Sequence, residues 1–206
     1  MKKFRIPAVI ILAVLMLTVC ASALAQGFDP GAPSDTMTIG AAPAPIDNTP
    51  KGYIWAAVAV CVAMILPGIG SALGVGMAGR AAAGVSAEDP EKGGSCLIFE
   101  LLPATQGLYG FVIAMFIAVF SGILSGAFLN LSTEAGLSYF YASLPIGVVG
   151  LVSAYFQSRV CCAGIGIVAK QGNGGMGITF AIMVELYAIL ALIVSILMVV
   201  NIPAGV

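Results

Sequence analysis

Four apolar stretches constrain this chain more than any other feature. They run from about Tyr53 to Gly79, Cys96 to Leu124, Tyr141 to Ala169 and Met176 to Ile202. Each exceeds the roughly 20 residues needed to cross a bilayer. Backbone N–H and C=O groups in lipid must be paired internally, so the stretches are expected to be helices. A transmembrane β-barrel needs short segments of alternating polarity, a pattern that does not fit here. Hydrophobic residues make up 60% of the 206 and charged residues 8%, against roughly 25% charged in soluble domains. The composition therefore argues against a water-soluble enzyme, and the expected fold class is an all-α membrane protein. A net charge of −1 offers no basic surface for nucleic acid. There is no His and the Cys are scattered, which puts the usual His/Cys zinc and iron sites out of reach.

Residues 1–25 have the three parts of a secretory signal. Lys2, Lys3 and Arg5 form a basic start, Pro7 to Leu17 an apolar run, and Ala23-Leu24-Ala25 a cleavage site before Gln26. The run is short for a retained extra helix, the rival reading. Cys20 follows Val19, which is too bulky for a lipoprotein signal. Residues 26–52 carry Pro30, Pro33, Pro43, Pro45 and Pro50 with Asp29, Asp35 and Asp47. Such a polar, proline-rich composition buries too little apolar surface to fold alone, so a flexible tether outside the membrane is expected.

Basic residues orient the four segments. Arg80 and Lys92 lie between segments one and two, and Arg159 and Lys170 flank the turn between three and four. The connection between two and three carries only Glu134. The positive-inside rule then places loops 80–95 and 169–176 in the cytoplasm and both mature ends outside. A cleaved signal would deliver the mature N-terminus to that same side. The chain also repeats itself. Leu66-Pro67 recurs as Leu144-Pro145, and Leu108-Tyr109 as Leu186-Tyr187. Residues 53–124 and 141–202 thus read as two tandem helical hairpins. In this register Glu185 of the second hairpin corresponds to Gly107 of the first.

Glu185 is the only acid in the middle of an apolar segment. Placing an ionisable group at the bilayer centre costs about 2.5–3.5 kcal/mol on insertion scales, which marks it as a functional candidate. Depth selects its partners. At 1.5 Å per residue, Glu185 lies about 14 Å in from Met176, Gln106 about 15 Å in from Cys96, and Gln157 about 18 Å in from Ala169. Three polar side chains on three helices share one level. Leu102, Thr105, Gln106 and Tyr109 are spaced i, i+3, i+4, i+7 and line one helix face. Pro103 frees the Phe99 carbonyl and can turn nearby carbonyls, Leu102's included, toward a ligand. The bland alternative is a polar seam whose members only bond each other. Several neutral oxygens with one carboxylate suit a hard monovalent cation, Na⁺, better than a divalent one. A proton would need only the carboxylate and one acceptor.

Leu101-Leu-Pro-Ala-Thr-Gln-Gly-Leu-Tyr-Gly110, Gln157 and Met183-Val-Glu-Leu-Tyr-Ala-Ile189 closely resemble the membrane-rotor proteolipids (the K or c type) of vacuolar and archaeal-type ATPases. The resemblance covers roughly residues 53–202 and is nearest to the sodium-transporting branch. It implies a ring of such proteolipids that turns against a stator subunit bearing an Arg, with central-stalk subunits on the cytoplasmic side. It also implies Na⁺ held by the Leu102 carbonyl, Thr105, Gln106, Tyr109, Gln157 and Glu185. Such a proteolipid would carry ions and not hydrolyse ATP, consistent with the lack of a phosphate loop with Lys. The signal-like start, the tether and Glu100 depart from the family pattern. Glu100 reads as an interfacial charge or as part of an entry path. A proton-carrying rotor is the nearest alternative. A small multidrug exporter also uses one membrane Glu, but would need an aromatic cavity, whereas the single Trp, Trp55, lies near a membrane end. A pore-forming structural proteolipid is the last reading.

Gly74-Val-Gly-Met-Ala-Gly79 matches G-x-G-x-x-G literally but lies inside an apolar segment with no strand before it, so dinucleotide binding is not expected. Gly68, Gly70, Gly74, Gly76 and Gly79 are expected to permit close helix packing. Cys61, Cys96, Cys161 and Cys162 are expected to be small buried or interfacial residues. The stretch Ser86 to Lys92 is expected to be solvated, and to face the central stalk if the resemblance holds.

Overall fold

The computed structural model describes residues 51–126 and 131–202. Those residues form helices and turns, with no strand among them. Helix α1 spans Lys51–Glu88, α2 Gly93–Leu101, α3 Thr105–Phe120, α4 Thr133–Gln171 and α5 Gly175–Val200. Two 3₁₀ turns, Pro90–Lys92 and Leu102–Ala104, link α1 to α2 and α2 to α3. Among the described residues, four stretches are long and apolar enough to cross a membrane: Gly52–Glu88, Pro90–Phe120, Thr133–Gln171 and Gly175–Val200. The expected signal at 1–25 and nearly all of the tether at 26–52 lie outside the described residues. The last two tether residues, Lys51 and Gly52, are instead the first of α1.

Two helices outrun the expected apolar segments. α1 continues nine residues past Gly79 to Glu88, because Ala81-Ala-Ala-Gly-Val-Ser-Ala has no strong breaker before Asp89-Pro90. Arg80 is thus a helical residue rather than part of a loop. α4 begins at Thr133, not Tyr141, with Ser132 as its N-cap, whose Oγ accepts the Ala135 N–H at 3.1 Å. With 38 and 39 residues, α1 and α4 are each about 57–59 Å long. Both greatly exceed the ~30 Å hydrocarbon core. α4 ends on Gly172, whose φ of 72° is the left-handed cap that glycine adopts without steric cost.

The turn after α1 ties the two helix pairs together. Asp89 caps the 3₁₀ turn by accepting the Glu91 N–H, and Lys92 Nζ lies 3.0 Å from Asp89 Oδ2. The adjacent ammonium holds the Asp89 carboxyl below its usual value. Lys92 Nζ also donates to the Ala169 carbonyl oxygen at 3.0 Å, near the C-terminus of α4, where the helix dipole favours a cation. The turns at 89–92 and 172–174 therefore share one end of the bundle, called here the basic end.

Small residues set the packing. α1 is in contact with α4 along much of its length, through Ala56, Ala59, Ala63 and Gly70 among others. The Pro67 ring sits against Gly110 of α3 and Gly150 of α4. A β-carbon on Gly74 would fall 2.7 Å from Pro103 Cβ, and one on Gly79 2.8 Å from Glu100 Oε1. Close packing thus explains Gly70, Gly74 and Gly79. It does not explain Gly76, which meets nothing within 4 Å, or Gly68, which meets only the tip of Met64. Gly76 is exposed, whereas the Gly68 Cα borders Gly107 of α3. Apolar residues form two cores. One, toward the basic end, joins Ala78, Phe99, Cys161, Ile165 and Ala181, and the other joins Ala59, Ile113, Ile117, Tyr139 and Ile146. The polar layer lies between them. Of the described cysteines, Cys96 and Cys161 are buried, Cys162 is half-buried and Cys61 is exposed.

Candidate functional site

Pro103 creates the local geometry on which the layer depends. It has no N–H and its ring crowds the preceding turn, which breaks a helix. The chain responds with the 3₁₀ turn at Leu102–Ala104, and a fresh helix starts at Thr105. The Leu102 carbonyl accepts both the Thr105 N–H and, at 2.8 Å, Thr105 Oγ1–H. The loosening expected at Pro103 takes the form of this turn, and the Leu102 carbonyl is taken up by Thr105. Gln106 and Tyr109 follow on the same face, at the start of α3.

Gln106 and Gln157 are both fully buried. Gln106 Nε2 donates to Gln157 Oε1 at 2.5 Å. Gln157 Nε2 donates in turn to the Ala181 carbonyl oxygen at 3.2 Å, across from α4 to α5. Ala181 lies one turn before Glu185, on the buried stripe of α5 that runs Gly177, Ala181, Glu185, Ala188, Ala191, Ser195. Glu185 is 9% exposed, and its Oε1 accepts the Tyr109 hydroxyl at 2.7 Å. α3, α4 and α5 are thereby cross-linked at one depth, in agreement with residue counting. The six expected residues form three bonded pairs: Leu102 with Thr105, Gln106 with Gln157, and Tyr109 with Glu185.

One polar atom in the layer is left over. Gln106 Oε1 is buried and has no hydrogen-bond partner. An unmet buried acceptor costs on the order of 1–3 kcal/mol, so its presence calls for a partner that is a donor or a cation. Among the described residues no cluster of three or more His, Cys, Asp or Glu side chains exists that could hold a metal. The donors of this layer are one carboxylate, two amides, two hydroxyls and backbone carbonyls. That set fits a cation of single charge with oxygen ligands.

Sequence reasoning missed two members of the neighbourhood. The Ala181 carbonyl carries no side-chain signature, and only its position four residues before Glu185 could have drawn attention to it. Ser71 of α1 accepts the Gly107 N–H at 2.8 Å; as the one Ser between Tyr53 and Gly79 it was detectable in principle. Glu100 does not line the layer. Its carboxyl lies against Gly79 of α1. Along this helix pair Glu100, Pro103, Gly107 and Gly110 all meet α1, a face distinct from that of Tyr109.

Comparison with known proteins bears on both helix pairs. The family described as the C subunit of ATP synthase matches residues 58–117 and 140–198, one stretch in each helix pair, and these stretches contain all six layer residues. The V-type sodium ATPase subunit K of Enterococcus hirae is 48% identical over 151 residues, 73% of this chain and 93% of that protein. The A-type ATP synthase subunit K of Methanocaldococcus jannaschii is 37% identical over 162 residues, 78% of this chain and 66% of that protein. Four membrane-length helices, the tandem match and these identities lead to one assignment: the chain belongs to the ATP synthase C-subunit family, as a multi-pass, non-catalytic membrane proteolipid of the V/A-type rotor kind.

Proposed function

We propose that this protein carries Na⁺ across the membrane as part of a rotor ring. The ion would be held by Glu185, Gln106, Thr105, Gln157 and the Leu102 carbonyl, with Tyr109 orienting the carboxylate. The observation that carries this reading is the buried Gln106 Oε1 without a partner, in the layer that holds the lone buried carboxylate of α5. The sodium ATPase relative supports the choice of ion.

The mechanism follows from charge. An empty Glu185 is negative and costly to expose to lipid. Na⁺ neutralises it, and the loaded rotor can then turn past lipid. An Arg on a stator subunit would pair with the empty carboxylate and release the ion. One charge crossing 100 mV is worth about 2.3 kcal/mol, so several steps must be summed to match one ATP. The basic end would face the cytoplasm, where the Asp89–Lys92 turn is available to the central stalk, and both mature ends would lie outside. Exposed Leu108, Phe111, Met183 and Tyr187 supply apolar surface for lipid and for neighbouring copies.

A proton-carrying rotor is the second reading, because the Tyr109–Glu185 bond already gives a carboxyl the single partner it would need. Carbodiimide labelling of membranes distinguishes the two. Modification is expected at Glu185 and is expected to be slowed by millimolar Na⁺. Labelling that ignores Na⁺ at every pH rejects the sodium reading and favours the proton. An exporter is disfavoured, since the single Trp, Trp55, packs edge-on against Phe140, ring centroids 5.5 Å apart.

A further inference from the structure

The first turn of any helix leaves backbone N–H groups without an intrahelical acceptor. At α3 this deficit falls in the middle of the polar layer, because Pro103 forces the helix to restart at Thr105. The Gly107 N–H, one residue from Gln106, is satisfied from outside its own helix by Ser71 Oγ at 2.8 Å. Ser71 is 7% exposed, in the interior of α1. Gly at 107 favours the approach, since a β-carbon there would lie 3.2 Å from both Ser71 Cβ and Oγ, a tight contact. In the repeat register Gly107 is the twin of Glu185, so Ser71 fills the place where a carboxylate of the first hairpin would begin.

We propose that Ser71 is a positioning residue for the cation site: its hydroxyl oxygen fixes the restarted turn of α3 and thereby aims the Gln106 amide at the ion. The hydroxyl does not touch the ion. It also takes up a backbone N–H whose partial positive charge would otherwise oppose a cation at this helix start. The inference rests on the reading of Gln106 and Glu185 as a cation site.

The test uses the assembled ATPase in membranes, with Ser71→Ala and Ser71→Cys, a near-isosteric change to a weak acceptor. Ser195→Ala is the control. It removes another cross-helix bond in which a hydroxyl oxygen accepts a backbone N–H, that of Ile146 to Ser195 Oγ at 3.2 Å, about 15 Å along α5 from Glu185. The Na⁺ concentration that half-protects Glu185 from carbodiimide is expected to rise about five- to tenfold in the Ser71 variants. The labelling rate without Na⁺ and the maximal ATPase rate are expected to stay unchanged, and Ser195→Ala to leave half-protection unmoved. Half-protection within about twofold of the parent in the Ser71 variants overturns the proposal, as does an equal shift in Ser195→Ala. If Ser71→Ala does not assemble, Ser71→Cys decides. If the parent itself shows no Na⁺ protection, the sodium reading fails. The pH midpoint of labelling then decides the role of Ser71, and a midpoint unchanged in Ser71→Cys overturns it.

Discussion

At the scale of single residues, the problem is how a carboxylate is kept inside an apolar bundle. Tyr109 donates to Glu185, and hydrogen bonds to a charged group contribute about 1.5–3 kcal/mol. Tyr109→Phe is therefore expected to raise the half-protecting Na⁺ concentration by about tenfold, read by carbodiimide labelling. Gln106→Leu should do more, because it removes the unpartnered oxygen and also leaves Gln157 Oε1 without its donor. An unchanged sodium dependence in Gln106→Leu would remove that amide from the site. Glu185→Gln should abolish ion-coupled ATP hydrolysis, and sodium-stimulated coupling that survives in it would refute the assignment. These side chains were legible in the sequence because each is a polar anomaly in an apolar run, and residue counting gave their common depth. Their pairing was not legible. Which amide hydrogen meets which oxygen depends on helix rotation, and the Ala181 carbonyl has no identity in a sequence.

At the scale of elements, the broken second span and the long first helix are mutually dependent. Pro103 lies against Gly74, and Pro67 against Gly110. Gly110→Ala would drive a β-carbon into the Ala63 carbonyl and the Pro67 ring. Such overpacking costs about 1–3 kcal/mol, and the detergent-solubilised protein is expected to unfold at lower temperature. Gly76→Ala meets nothing within 4 Å and should leave the fold of a single chain intact, so any loss there would report contact between copies. Existence and type of all four spans could be read from hydropathy. Their ends could not. Arg80 suggested a boundary that helix-forming Ala residues carried to Glu88. The polar start of α4, Thr133-Glu134, carried no hydropathy signal and was fixed by the Ser132 cap.

At the scale of the molecule, one chain is not a finished object. Large apolar side chains such as Leu101, Leu108, Met183 and Tyr187 remain more than half exposed, and in a bilayer lipid or further copies must cover them. A mass measurement in mild detergent is expected to find a large closed ring, whereas a stable monomer or dimer would favour an exporter. The tandem repeat was legible because paired motifs recur at one spacing. The two hairpins are nevertheless chemically unequal, with Gly107 against Ser71 in one and Glu185 against Tyr109 in the other. This inequality is expected to leave one ion site per four helices. Equilibrium binding of radioactive sodium to the purified ring measures that number directly. Saturation is expected at one Na⁺ per chain, lost entirely in Glu185→Gln. Saturation at two per chain, or binding that survives in Glu185→Gln, would contradict it.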